Sequence, residues 1–113
     1  MNINPEEIYN RLDSVGQEWV AANAKAELLS EAQKSELSTL SLEYLENAKS
    51  MTEAETRARA DQRYKNFIIG MVKAKEEANE CKVRYEAAKA WFEALRSQHA
   101  TLRQEMKTMP HRA

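Results

Sequence analysis

The second half of the chain repeats apolar or small residues at steps of four and three without a slip. The row is Ala60, Tyr64, Phe67, Met71, Ala74, Ala78, Cys81, Tyr85, Ala88, Phe92, Leu95, His99, Leu102, Met106 and Met109. That spacing lines one stripe of an α-helix and conflicts with the period of two that a half-buried strand requires. At a rise of 1.5 Å per residue the helix would be roughly 80 Å long. Such a rod has no way to bury its stripe against itself, so a second helix must cover it.

The first half supplies one. Ile8, Leu12, Val15, Trp19, Ala22, Ala26 and Leu29 keep the same four-three alternation. The row then passes through Gln33 to reach Leu37, Leu40, Tyr44 and Ala48, which inserts an extra four-residue step. A step of this kind is a stutter and locally unwinds a supercoil. With only two glycines and two prolines there are too few breakers for a fold of many turns.

The start signals agree. Asn4 is placed to cap a helix, with Pro5 in the first helical position and Glu7 three residues after the cap. Thr52 and Glu55 repeat the pattern. The sequence therefore predicts one domain over residues 1–113. It has a helix from about 5 to 49, a turn at about 50–52, a helix from about 53 to 107 and a short C-terminal tail. The fold class is all-α: a long antiparallel helical hairpin, a coiled coil that oligomerises into a helical bundle. A break of the first helix at Gly16 or near residues 30–35 would instead allow a compact three-helix form.

The stretch "KNFIIGMV", residues 65–72, is apolar over most of a helix circumference. Phe67 and Met71 lie on the main row, while Ile68, Ile69 and Val72 point elsewhere, and Gly70 reads as a point of close helix approach. It is far shorter than the roughly 20 residues needed to span a bilayer, so no membrane segment is expected. A second patch of Val83, Ala87, Ala90, Trp91 and Ala94 flanks the row. One hairpin covers only one stripe, and the two patches imply self-association. The expected oligomer interface is Phe67, Ile68, Met71, Val72, Ala87, Trp91, Phe92, Leu95 and His99, with His99 buried and fixing register.

Chemistry-bearing patterns are weak. Glu76, Glu77 and Glu80 have no His three residues on, so they do not form the Glu-x-x-His pair of a di-metal bundle. Cys81, the lone cysteine, sits among alanines and reads as a small buried hydrophobe. The expectation is no catalytic residue, no metal, no cofactor and no enzyme. The N-terminus lacks the basic-then-apolar pattern of a signal peptide, and with a single cysteine this points to the cytoplasm.

Charge is divided unevenly. Residues 1–50 carry four Lys/Arg against nine Asp/Glu, net −5, and residues 51–113 carry thirteen against nine, net +4. The halves attract when folded together. Arg57, Arg59, Arg63 and Lys65, with Arg96 and Arg103 further along, could neutralise phosphates. Pairing with the acidic first helix is the favoured role for them, and nucleic-acid binding the alternative.

The segment "YKNFIIGMVKAKEEANECKVRYEAAKAWFEALRSQHATLRQEM", residues 64–106, resembles small helical proteins encoded in bacteriophage early regions near recombination and single-strand-binding genes. The resemblance rests on the aromatic start, the spacing in "CKVRYEAAKA" and the arginines of "ALRSQHATLRQEM". It implies a phage or prophage accessory protein and carries over no catalytic residue. The expected function is that of a non-catalytic helical adaptor acting through protein contacts. A nucleic-acid-binding accessory of recombination or replication and a helical inhibitor of a host protein are the alternatives.

Overall fold

The structure, a computed structural model, describes residues 4–108. It is an antiparallel helical hairpin of 96 × 20 × 16 Å, a cross-section that fits two helices side by side. Helix α1 spans Pro5–Leu45, α2 spans Met51–Ala60 and α3 spans Gln62–Thr108. Both α2 and α3 lie against α1, as the two segments of a single returning arm. Helix α1 runs unbroken through Gly16 and residues 30–35, which rules out the compact three-helix form.

Capping sets the ends. Asn4 Oδ1 accepts the Glu6 N–H at 3.0 Å, and Pro5 occupies the first turn. Helix α1 stops at Leu45, about four residues short of the expected end. Bonds from the Asn47 and Ala48 N–H groups to the Tyr44 and Leu45 carbonyls tighten the chain into the turn. The cap of the next helix is Ser50 rather than Thr52. Its Oγ accepts the Glu53 N–H at 3.2 Å, and the Glu53 carboxylate reaches back to the Lys49 N–H at 2.8 Å. The capping box thus sits two residues earlier than expected, at the point where α1 releases the chain.

The expected second helix is divided at Asp61, which adopts extended backbone (φ −66°, ψ 137°). No proline or glycine causes this. Asp61 Oδ1 accepts the Arg63 N–H at 2.7 Å, capping α3, and Oδ2 accepts the Tyr44 hydroxyl at 2.6 Å. The break turns α2 by about one residue, roughly 100° about its axis. Ala54 and Ala58 thereby face α1, both fully buried, while Ala60, expected on the inward row, is exposed.

From Tyr64 to Leu95 the inward row is the expected one. Tyr64, Met71, Ala74, Ala78 and Cys81 are buried, and Phe67, Tyr85, Ala88, Phe92 and Leu95 are half-buried. Facing them on α1, Ala26 packs with Ala74 and Ala78, and Leu40 with Ala58 and Tyr64. At the stutter, Ala32 and Gln33 are both half-buried, and Gln33 Nε2 donates to the Tyr64 hydroxyl at 3.2 Å. Trp19 stacks on Tyr85 with ring centroids 5.3 Å apart. A Cβ on Gly16 would lie 3.3 Å from Tyr85 Cε2, so Gly16 is the glycine of close approach. Gly70, expected in that role, is exposed with nothing within 4 Å of a Cβ there.

Candidate functional site

Large apolar side chains stand exposed on both long helices: Tyr9, Val20, Leu28 and Leu42 on α1, and Ile69, Val72 and Val83 on the outer face of α3, with Trp91 on its flank beside Arg11 and Val15 of α1. Ile69, Val72, Val83 and Trp91 are each 44 to 65% exposed. Ala87, Ala90 and Ala94 are also exposed. Helix α1 is a single unbroken helix along the inward stripe, and Ile69, Val72, Val83, Ala87, Ala90, Trp91 and Ala94 all remain exposed. Exposed apolar residues in this number on one face mark a contact surface more often than chance.

The residues expected at an oligomer interface divide into two sets. Met71 is buried inside the hairpin, and Phe67, Ile68, Phe92 and Leu95 are half-buried. Ile68 packs on the Leu40, Ala58 and Tyr64 cluster. Val72, Ala87, Trp91 and His99 are exposed. His99 was expected to be buried. Helix α1 begins at Pro5, close to the level of His99, and leaves that position open to solvent.

The basic residues also divide. Arg63 donates to Glu43 at 2.7 Å and to Asp61 at 3.1 Å, tying the returning arm to the acidic first helix as charge distribution implied. Arg57 pairs with Glu53 one turn earlier in its own helix, at 2.8 Å. Arg59 and Lys65 are exposed. Arg96 and Arg103 lie at the open end of the hairpin, in a groove of about 690 Å³ that Pro5, Ile8, Phe92 and His99 also line. Tyr64 and Phe67, the aromatics nearest the first basic cluster, are turned toward α1.

Around Asp61 the electrostatics are specific. Hydrogen bonds from Arg63 and from the Tyr44 hydroxyl hold the Asp61 carboxyl well below the usual carboxylate range, and the same Asp61 contact pushes Tyr44 up. Arg63 is pushed up by its bonds to Asp61 and Glu43. A carboxylate whose folded pKa is depressed stabilises the fold above its unfolded pKa of about 4, and that contribution is lost as pH falls below it. Thermal melts of the wild type should therefore shift down between about pH 5 and pH 2. In Asp61→Asn that shift should be smaller and the melting temperature at pH 7 lower. Equal slopes in the two proteins would show that the Asp61 contacts do not stabilise the break.

Among the described residues no group of three or more His, Cys, Asp or Glu could hold a metal ion, and no helix is long and apolar enough to cross a membrane. Cys81 is buried, with the Arg84 guanidinium donating to Sγ at 3.1 Å. No protein-family model, curated protein or solved structure matches this chain.

Proposed function

We propose that this chain is a non-catalytic helical interaction protein, a homo-oligomer that assembles through the outer face of α3 and presents its remaining surface to another protein. The observation that carries this reading is the exposure of Ile69, Val72 and Val83 while α1 is already committed to the inward stripe of the same helix. A cytoplasmic setting and a phage or prophage accessory role, whether as adaptor or as inhibitor of a host protein, belong to the same proposal. Nucleic-acid binding is the weaker reading. Arg57 and Arg63 are already paired with carboxylates, and the aromatics that could stack bases face the hairpin interior.

The test is the mass of the particle in solution. Light scattering at tens of micromolar should give a multiple of the 13.0 kDa chain mass. Ile69→Glu combined with Val72→Glu should return a monomer at that concentration with unchanged helicity, because both side chains are exposed in the single hairpin. A monomeric wild type at that concentration sinks the reading.

A further inference from the structure

The two arms of the hairpin are unequal at the open end. Gly16 lies against Tyr85, so by the antiparallel register Pro5 falls opposite about residue 96, and the groove that Pro5 and Ile8 share with Phe92, His99 and Arg103 agrees. Helix α3 nevertheless continues to Thr108. It overhangs α1 by about 12 residues, or roughly 18 Å. The inward row does not stop where its cover does. His99, Leu102 and Met106 extend the stripe that α1 covers up to Leu95, and Leu102 and Met106 are 57% and 72% exposed.

We propose that this overhang pairs antiparallel with the overhang of a second copy, joining two hairpins end to end about a two-fold axis beside Leu102. The contact prolongs an interface already formed. An incoming α3 runs in the same direction as α1 and takes up the stripe where α1 leaves it, placing its Met106 against His99. Its C-terminal end then faces the N-terminal end of α1. Lys107 in the last turn of the incoming helix meets Glu6 and Glu7 in the first turn of α1, a head-to-tail alignment of helix dipoles with matching side-chain charges. Three inward side chains from each copy make a contact well below the standard interface size, so the pairing is weak and concentration-dependent. It involves none of the outer-face residues of the preceding proposal and stands or falls separately.

The experiment uses the full chain carrying Ile69→Glu and Val72→Glu, so that side-by-side assembly does not interfere. Sedimentation velocity and small-angle scattering should show a monomer at tens of micromolar passing, toward millimolar, into a reversible dimer about twice the length of one hairpin and no thicker. Adding Leu102→Glu and Met106→Glu should abolish it without changing helicity, since both residues are exposed in the single chain. In a Cys81→Ala background, Leu102→Cys should form a disulfide-linked dimer on mild oxidation, whereas Val83→Cys, on the outer face, should not. A concentration series that stays monomeric to millimolar, a dimer that survives the two glutamates, or equal cross-linking at the two positions would overturn the proposal.

Discussion

Ala58→Glu is expected to cost at least about 3 kcal/mol of stability, while Ala60→Glu, two residues further along the same helix, should change it by less than about 0.5 kcal/mol. Ala58 has no exposed surface and packs in the cluster with Leu40 and Tyr64, so a carboxylate there would lose its water with no partner to receive it. Ala60 faces solvent. An unbroken helix would reverse the two positions, because the row read back from Tyr64 would then pass through Ala60, Arg57 and Glu53. Urea denaturation of both variants at equal protein concentration decides between the two phases of α2. Similar losses, or a larger loss at position 60, would mean that the rotation at Asp61 is absent in solution.

Leu40→Ala should lower stability by about 2–5 kcal/mol, the range for truncating a large buried aliphatic side chain. For a domain of this size that is a drop in Tm on the order of 10–20 °C. The reason is a shortage of large buried side chains: half of the buried positions are alanines, and Leu40 is 4% exposed in the cluster against which Leu37, Tyr44 and Ile68 pack. The surrounding helices are held by the Tyr44 to Asp61 and Arg63 to Glu43 contacts and so have little freedom to close the cavity. Leu28→Ala, on the exposed side of the same helix, is the control and should be near neutral. A loss below 1 kcal/mol at Leu40 would mean that the cluster is not the stabilising centre of the tip.

Much of the hairpin is written in local spacing. Every member of the α1 row from Ile8 to Ala48 is buried or half-buried, including Gln33 at the stutter, and α3 follows its row from Tyr64 to Leu95. Spacing records which residues share a stripe, and in a two-helix fold that stripe is the core. It does not record what holds a break open. The Asp61 break depends on Tyr44 and Glu43, 17 and 20 residues away from the groups they bind, and apart from Asp61, itself a favoured N-cap, the local run "RARADQRYK" is rich in good helix formers. One hint was present: Ala54, Ala58 and Asp61 are themselves spaced by four and three, a second phase alongside the first. Likewise, whether a stripe residue is covered depends on where the partner helix starts. That is why His99 and Leu102 continue the pattern yet stand in solvent. For the candidate surface, composition identified the surplus of apolar residues. Only the placement of α1 distinguished Val72, which is exposed, from Met71, which is buried beneath it.

The order in which the arms come together follows from their unequal reach along the chain. The Tyr44 to Asp61 bond at the tip closes a loop of 17 residues, whereas contact between Gly16 and Tyr85 joins residues nearly 70 apart. Closing the longer loop directly costs on the order of 1 kcal/mol more in chain entropy. Once the tip is closed, each further pair of turns is brought together by the pair before it, so the arms join progressively from the turn toward the termini. Opening runs the other way and begins at the end where α3 has already outrun its cover. The same gradient leaves Arg96, His99 and Arg103 on the part of the molecule that separates first, and keeps the buried alanines of α2 on the part that separates last.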